Sequence, residues 1–326
     1  MVSDNPYNTQ LETKDDVPLA DLFDIAMQKV DLFNEAERPF RSLFVQEVSE
    51  MIFSADHVPA DMTWEAVGEG EHPVTGDIPD DKKVAMNVEK YARGLNFSQE
   101  FIEDNPSEMV TRRINAMLEG AVKKEQEVIF NTFKSGIAEG GEIWYDVPDY
   151  GEYTFSNTHD HTFASTQELF ERNGGSDTNA HAPSEHLREA NKEIRHHGRN
   201  PSYALCSSEF AAELVNELSW DASYHIPDAS DLRSTALPET QIQLDGTTLF
   251  QTPWINDEGS SEYTFYMMDD SKPLYFHEAS PVTLNGLNGA PVRSPGDILG
   301  ATGSARWGVK MVDPLAGVKV TADNLA

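Results

Sequence analysis

The stretch Leu95-Asn96-Phe97-Ser98-Gln99-Glu100-Phe101-Ile102-Glu103-Asp104-Asn105-Pro106-Ser107-Glu108 decides the fold, because a strand gives way to a long helix within it. Asn105 can cap a helix, Pro106 suits its first position, and Glu108 stands where a capping-box acid belongs. Apolar residues then recur at helical spacing: Val110, Ile114, Met117, Leu118, Ala121, Val122, Val128, Ile129 and Phe133. Gly136 is read as the stop. The spacing predicts a helix over residues 106–135, about 45 Å long at ~1.5 Å per residue. Val110, Ile114, Met117 and Leu118 form its expected core. Such a helix is a spine and not one face of a compact bundle.

Upstream, residues 1–18 are polar, broken by Pro6 and Pro18, and read as an extended arm. Residues 19–53 carry apolar positions at helical spacing, interrupted by Pro39, which predicts two helices or a kink. Met62-Thr63-Trp64-Glu65-Ala66-Val67 reads as a strand, residues 68–81 as a polar, glycine-, proline- and acid-rich tip, and residues 84–92 as the returning strand. Together they predict a long hairpin standing off the body. Downstream, a helix is expected over 183–197 with Gly198 as its stop, then a strand at 203–205 and a helix at 207–218. Strands are expected at 247–251, 263–268, 274–276, 282–284, 305–312 and 317–320. The fold class is therefore α+β. Cys206, the single cysteine, rules out an intrachain disulfide framework and reads as a small buried hydrophobe.

Charge is the strongest compositional signal. The 326 residues hold 56 acids and 24 Lys plus Arg, a net charge of −32. Near molar salt the Debye length is about 3 Å, and an acidic surface then serves mainly to stay hydrated. The load reads as adaptation to high salt. It is uneven: residues 136–269 carry −18, whereas 106–135 carry +1 and 270–326 carry zero. Spared segments are either core or pressed against neighbours, since unpaired buried charge is costly.

Little points to catalysis. The sequence has no phosphate-binding glycine loop, nucleophile elbow or zinc helix. His159-Asp160-His161 and His196-His197 lack partners at ligand spacing, so neither a catalytic residue nor a metal site is expected. No helix carries a basic stripe for sequence-specific DNA binding, and no apolar run approaches membrane-spanning length. The start has no signal-peptide pattern, so a soluble product is expected.

The order of parts resembles the major capsid proteins of tailed viruses with the Hong Kong 97 type fold. Leu95 to Asp104 is similar to the strand and turn that precede that family's long helix, and Pro201-Ser202-Tyr203-Ala204-Leu205 to a strand of its axial domain. Gly246-Thr247-Thr248-Leu249-Phe250-Gln251-Thr252-Pro253 and Ala305-Arg306-Trp307-Gly308-Val309-Lys310-Met311-Val312-Asp313-Pro314 resemble later family segments in the same order. The resemblance implies an N-terminal arm and helices over 1–61 and an extended E-loop over 62–95. It also implies a peripheral domain over 96–179 and 296–326, and an axial domain over 180–295. Trp64, Glu69, Glu71, Asp77, Asp80, Lys82 and Lys83 would then be intersubunit residues of the E-loop.

The implied function is assembly of hexamers and pentamers into an icosahedral shell around double-stranded DNA, bound without sequence specificity. The shell would be a virion capsid assembled in the cytoplasm of a haloarchaeal host. Portal, scaffold and decoration or turret proteins are the implied partners. With Met1 about 60 residues before the loop, the scaffold is expected to be a separate chain. Lys82, Lys83, Asn285 and Asn288 fall in no cross-linking motif, so no covalent weld is expected. No cofactor is expected beyond magnesium or similar cations between carboxylates. Two alternatives stand beside this reading: an encapsulin-like compartment shell, and a soluble halophilic α+β enzyme.

Overall fold

The computed structural model describes residues 11–36, 38–54, 83–137, 162–165, 182–196, 198–220, 242–244, 246–255, 262–286, 298–313 and 316–323. Six helices and twelve strands lie among them. They are α1 (Leu19–Glu35), α2 (Pro39–Phe44), β1 (Val45–Glu47), β2 (Ile52–Ser54), β3 (Lys83–Ala85), β4 (Glu89–Ser98), α3 (Gln99–Asp104), α4 (Ser107–Ile137) and β5 (Thr162–Ala164). They continue as α5 (Pro183–His196), β6 (Tyr203–Cys206), α6 (Ser208–Trp220), β7 (Ile242–Leu244), β8 (Thr247–Gln251), β9 (Glu262–Met268), β10 (Leu274–Gly286), β11 (Ile298–Met311) and β12 (Gly317–Asp323).

Helix α4 is the spine, 31 residues long, or about 46 Å at ~1.5 Å per residue. Its apolar stripe buries Val110, Ile114, Met117, Leu118, Ile129, Phe130, Phe133 and Ile137. The N-terminal half lies on a four-stranded sheet of order β1-β10-β11-β4. There the backbone of Gly303 in β11 comes so close that an added Cβ would sit 2.8 Å from Met117 Sδ. The C-terminal half reaches a six-stranded sheet of order β5-β12-β9-β6-β8-β7. Phe130 and Phe133 meet Tyr266 of β9 edge-on, with centroids 5.4 and 6.1 Å apart. Helices α5 and α6 cover the other face of that sheet, where Leu187, Ile194, Phe210 and Leu214 pack on Phe265 and Val320. Helix α1 buries Leu19, Leu22, Ala26 and Val30 in the spine's core cluster.

Several expectations change. Helix α2 is only six residues long with Pro39 at its N-terminus. The segment predicted to continue it becomes β1, paired in parallel with Leu274–Phe276, and then β2, paired with β3. Expected strands 274–276 and 282–284 are one strand, β10, carried through two register shifts between Glu278 and Thr283. Pro281 falls inside those shifts, which is where a strand can hold a residue without a backbone donor. The spine does not stop at Gly136. That glycine is helical, and a Cβ on it would lie 2.6 Å from Met311 Cγ, so close packing of α4 on β11 explains its size. Gly198, by contrast, adopts φ 72° two residues past the end of α5, the left-handed conformation common just beyond helix ends.

The expected boundary at 295/296 is not followed by the sheets. Strand β10 belongs with β11 and β4, while β12 crosses to lie between β5 and β9. Burial accounts for much of the spared charge at this end of the chain. Ala301, Ala305, Trp307, Val318, Val320 and Ala322 are all nearly inaccessible.

Candidate assembly surface

Residues 64–82, which hold six of the seven expected E-loop contacts, lie outside the described residues. Lys83 opens β3, opposite Ser54 in the two-stranded ladder. The hairpin's described base is therefore 52–54 with 83–85. The predicted return strand 84–92 is broken: β3 ends at Ala85, and β4 begins at Glu89 and pairs with β11 through to Ser98. A tight contact sits at the break, since a Cβ on Gly308 would lie 2.5 Å from the Asn87 carbonyl oxygen. The four expected spine-core residues are buried, with Val110 and Ile114 at 0 and 1% exposure.

The spine's N-terminus is held from outside its own segment. Asp15 accepts a hydrogen bond from the Ser107 amide at 2.8 Å and another from the Ser107 hydroxyl at 2.7 Å. Lys14 N–H donates to the Asn105 carbonyl at 3.1 Å. These bonds hold the Asp15 carboxyl well below its ordinary value, at about 2; the Ser107 hydroxyl contributes most and the Thr13 hydroxyl next. Asn105, expected as the cap, instead ends α3 and donates its amide to the Phe101 carbonyl at 2.8 Å.

Midway along the spine, Glu125 is buried to 3% side-chain exposure and paired with Arg38. Arg41 stands 3.9 Å from the same carboxylate, 2.8 Å from Glu47 and 3.4 Å from Glu278. Its guanidinium lies 3.8 Å from the Phe276 ring centroid. Burial pushes the Glu125 carboxyl up, while Arg38 and then Arg41 pull it back. This ionic hub ties α2, β1 and β10 to α4. A second tie joins Arg199 to Asp269 at 3.6 Å and to Asp313 at 2.5 Å, where β11 passes to β12.

Between α4 and the four-stranded sheet runs an open groove of about 690 Å³. Leu95, Met117 and Trp307 line its apolar part, and Arg93, Arg113 and Lys124 are its charged residues. No acid is among the lining side chains. Tyr91 stacks on Trp307 with centroids 4.5 Å apart and donates its hydroxyl to Glu89 at 2.9 Å. Its pKa is pushed up to about 12, by burial first and Glu89 second.

Nothing described resembles a reaction centre. Among the described residues no three His, Cys, Asp or Glu converge as a metal site, and no helix is long and apolar enough to cross a membrane. His159 to His161 and His197 lie outside the described residues. Ser165 and His186 form a buried pair, Oγ to Nδ1 2.8 Å. The Ser165 hydroxyl also lies 3.0 Å from the Thr321 carbonyl, to which it donates. Both residues are at 0% exposure, and the pair links the end of β5 to α5 and β12.

A sequence model described as phage capsid protein matches residues 81–320, which take in the spine and most strands of both larger sheets. The chain belongs to the phage capsid protein family. The match begins at the hairpin's returning side and ends within β12. Comparison with curated proteins found no match. Solved structures agree on the fold. The chain aligns with that of Mycobacterium phage Patience at TM-score 0.55 and 12% identity, covering 97% of this chain and 92% of the other. The capsid of cyanophage P-SCSP1u gives TM-score 0.57 at 8% identity, with 89% of each chain covered. The mature capsid of bacteriophage PhiM1 gives 0.52 at 11%, again with 89% of each covered. At these identities the likeness is one of fold, the Hong Kong 97 type expected from the sequence.

Proposed function

We propose that this capsid-family chain is a major capsid protein that self-assembles as hexamers and pentamers into an icosahedral shell around double-stranded viral DNA. The family match over residues 81–320 carries the reading. The spine, held at its N-terminus by the arm and at its middle by Glu125, gives the subunit a rigid long axis, as repeated packing into a shell requires. Residues 62–95 act as the E-loop, with Trp64, Glu69, Glu71, Asp77, Asp80, Lys82 and Lys83 toward neighbours. Residues 96–179 and 296–326, with the spine, are the peripheral domain, and residues 180–295 are the axial domain. The net charge of −32 supports a tailed virus of a salt-loving archaeal host, assembling in its cytoplasm. Portal, scaffold and decoration or turret proteins complete the particle, and DNA is enclosed without sequence recognition. No catalytic role is assigned.

Gel filtration in molar salt tests the reading. A shell protein elutes in the void volume as megadalton particles, whereas elution as a small oligomer contradicts it. Nuclease-protected double-stranded DNA in particles from infected cells is expected; particles loaded only with protein would show a compartment shell instead.

A further inference from the structure

We propose that the face of the four-stranded sheet turned away from the spine binds an acidic segment of a different polypeptide, a second protein of the finished particle; this rests on the shell reading above. Ladder partners share a face, so the register sorts the side chains of β10, β11 and β4 between the two sides. The strands of this sheet hold three acids, Glu47, Glu89 and Glu278. All three fall on the spine side: Glu47 and Glu278 reach Arg41, and Glu89 lies opposite Trp307. Lys90, Arg306 and Lys310 fall on the other side, with Lys310 in register with Tyr275. One face of the sheet therefore carries cations and no acid, in a chain with 56 acids and 24 Lys plus Arg.

Two features of that face have no purpose inside the subunit. Lys90 and Arg306 stand directly opposite each other on β4 and β11. Both are exposed, and neither pairs with an acid among the described residues. Like charges so placed destabilise a sheet, and an anion arriving from outside removes that cost. Gly94 and Gly300 lie on the same face. A Cβ on Gly94 would meet nothing within 4 Å, and one on Gly300 only Asn96 Oδ1 at 3.7 Å, so no packing among the described residues demands either glycine. A glycine inside a strand often marks the close approach of another backbone. Exposed Thr283, Asn285 and Thr302 add hydrogen-bonding groups beside them. Close backbone approach suits a polypeptide and not a duplex. Salt argues the same way. Three phosphate contacts lose about 500-fold in affinity between 0.1 and 1 M salt, whereas carboxylate pairs buried under a partner are screened much less.

Zero-length carbodiimide coupling, which joins a lysine amine to a carboxylate already in contact, tests this in particles from infected cells. The expected product links Lys90 or Lys310 to an Asp or Glu of a different sequence, identified by peptide mass spectrometry. Acetylation should mark Lys90 in shells assembled from this chain alone and spare it in the complete particle. Lys90→Glu with Arg306→Glu, both exposed changes, should still give closed shells but weaken co-sedimentation of the coupled protein by about tenfold or more. Lys90→Arg with Arg306→Lys should retain it. A link only to carboxylates of this chain's own sequence, or a folded charge-reversed chain that closes no shells, would make the face a contact between copies. Lys90 acetylated equally in both particles would mean that nothing covers it. Lys90 spared until nuclease removes DNA from opened particles would make the occupant nucleic acid. Each of these results overturns the proposal and leaves the shell reading intact. Wild-type chain that forms no shells would overturn the shell reading itself.

Discussion

Asp15 shows how far a residue's role can lie from its sequence neighbourhood. Its carboxylate holds Ser107 across a separation of 92 residues. Because its folded pKa of about 2 lies below the ordinary 3.8, the contact is fully stabilising above pH ~3.8 and is lost as pH falls through ~2. Hydrogen exchange should therefore show the Lys14 and Ser107 amides protected at neutral pH and losing protection in acid. Asp15→Ala should remove that protection at pH 7; unchanged protection would mean that the arm is held by something else. Glu125 is the second case. Replacing it with Leu leaves Arg38 without its carboxylate and Arg41 with only Glu47 and Glu278, and should cost about 3–5 kcal/mol in denaturant unfolding. Neither role was legible. Local rules pointed to Asn105 as the cap, and an acid among polar helix positions looks solvated until α2 is folded against it.

At the scale of elements, strong periodicity was readable and close approach was not. The spine's stripe places Ile114 at 1% exposure, and Ile114→Asp should cost more than about 4 kcal/mol and leave the subunit unfolded by circular dichroism. Gly136 is the sharper case. Helix propensity alone says that Gly136→Ala stabilises by about 1 kcal/mol, but the Cβ would lie 2.6 Å from Met311 Cγ. Net destabilisation of about 1–2 kcal/mol is expected, relieved by Met311→Ala; a stabilised Gly136→Ala would show that the α4–β11 packing is looser than described. The strands at 203–206 and 247–251 were legible because they are short apolar runs between clear breaks. Strand β10 read as two because its bulges interrupt the alternation. Residues 45–54 read as helix because Val48, Met51 and Ile52 fit helical spacing, yet pairing with β10 and β3 decides the outcome. Sheet membership across 295/296 was not legible either: β12 joins β9 in a pairing that only the folded chain reveals.

For the whole molecule the governing quantity is the charge of −32, set against contacts that assembly must supply. Deleting residues 68–81 should leave a folded subunit that forms no closed shells, as read by circular dichroism and light scattering; normal assembly would remove the loop from the account. Association brings acidic faces together, and the Debye length grows from about 3 Å at 1 M salt to about 10 Å at 0.1 M. Shells should therefore loosen on dialysis before the isolated subunit unfolds, with magnesium partly restoring them by bridging carboxylates. Shells intact at 0.1 M without divalent ions would mean that contacts outweigh the repulsion. The acid load was legible from composition, and the family from the order of its segments. The groove was not, because its cations come from β4 and α4 and meet only in the fold. The most direct test of the central claim is electron microscopy of the expressed full-length chain in molar salt. Closed shells of hexamers and pentamers are the predicted result; a uniform field of small oligomers in which the subunits are folded would contradict it.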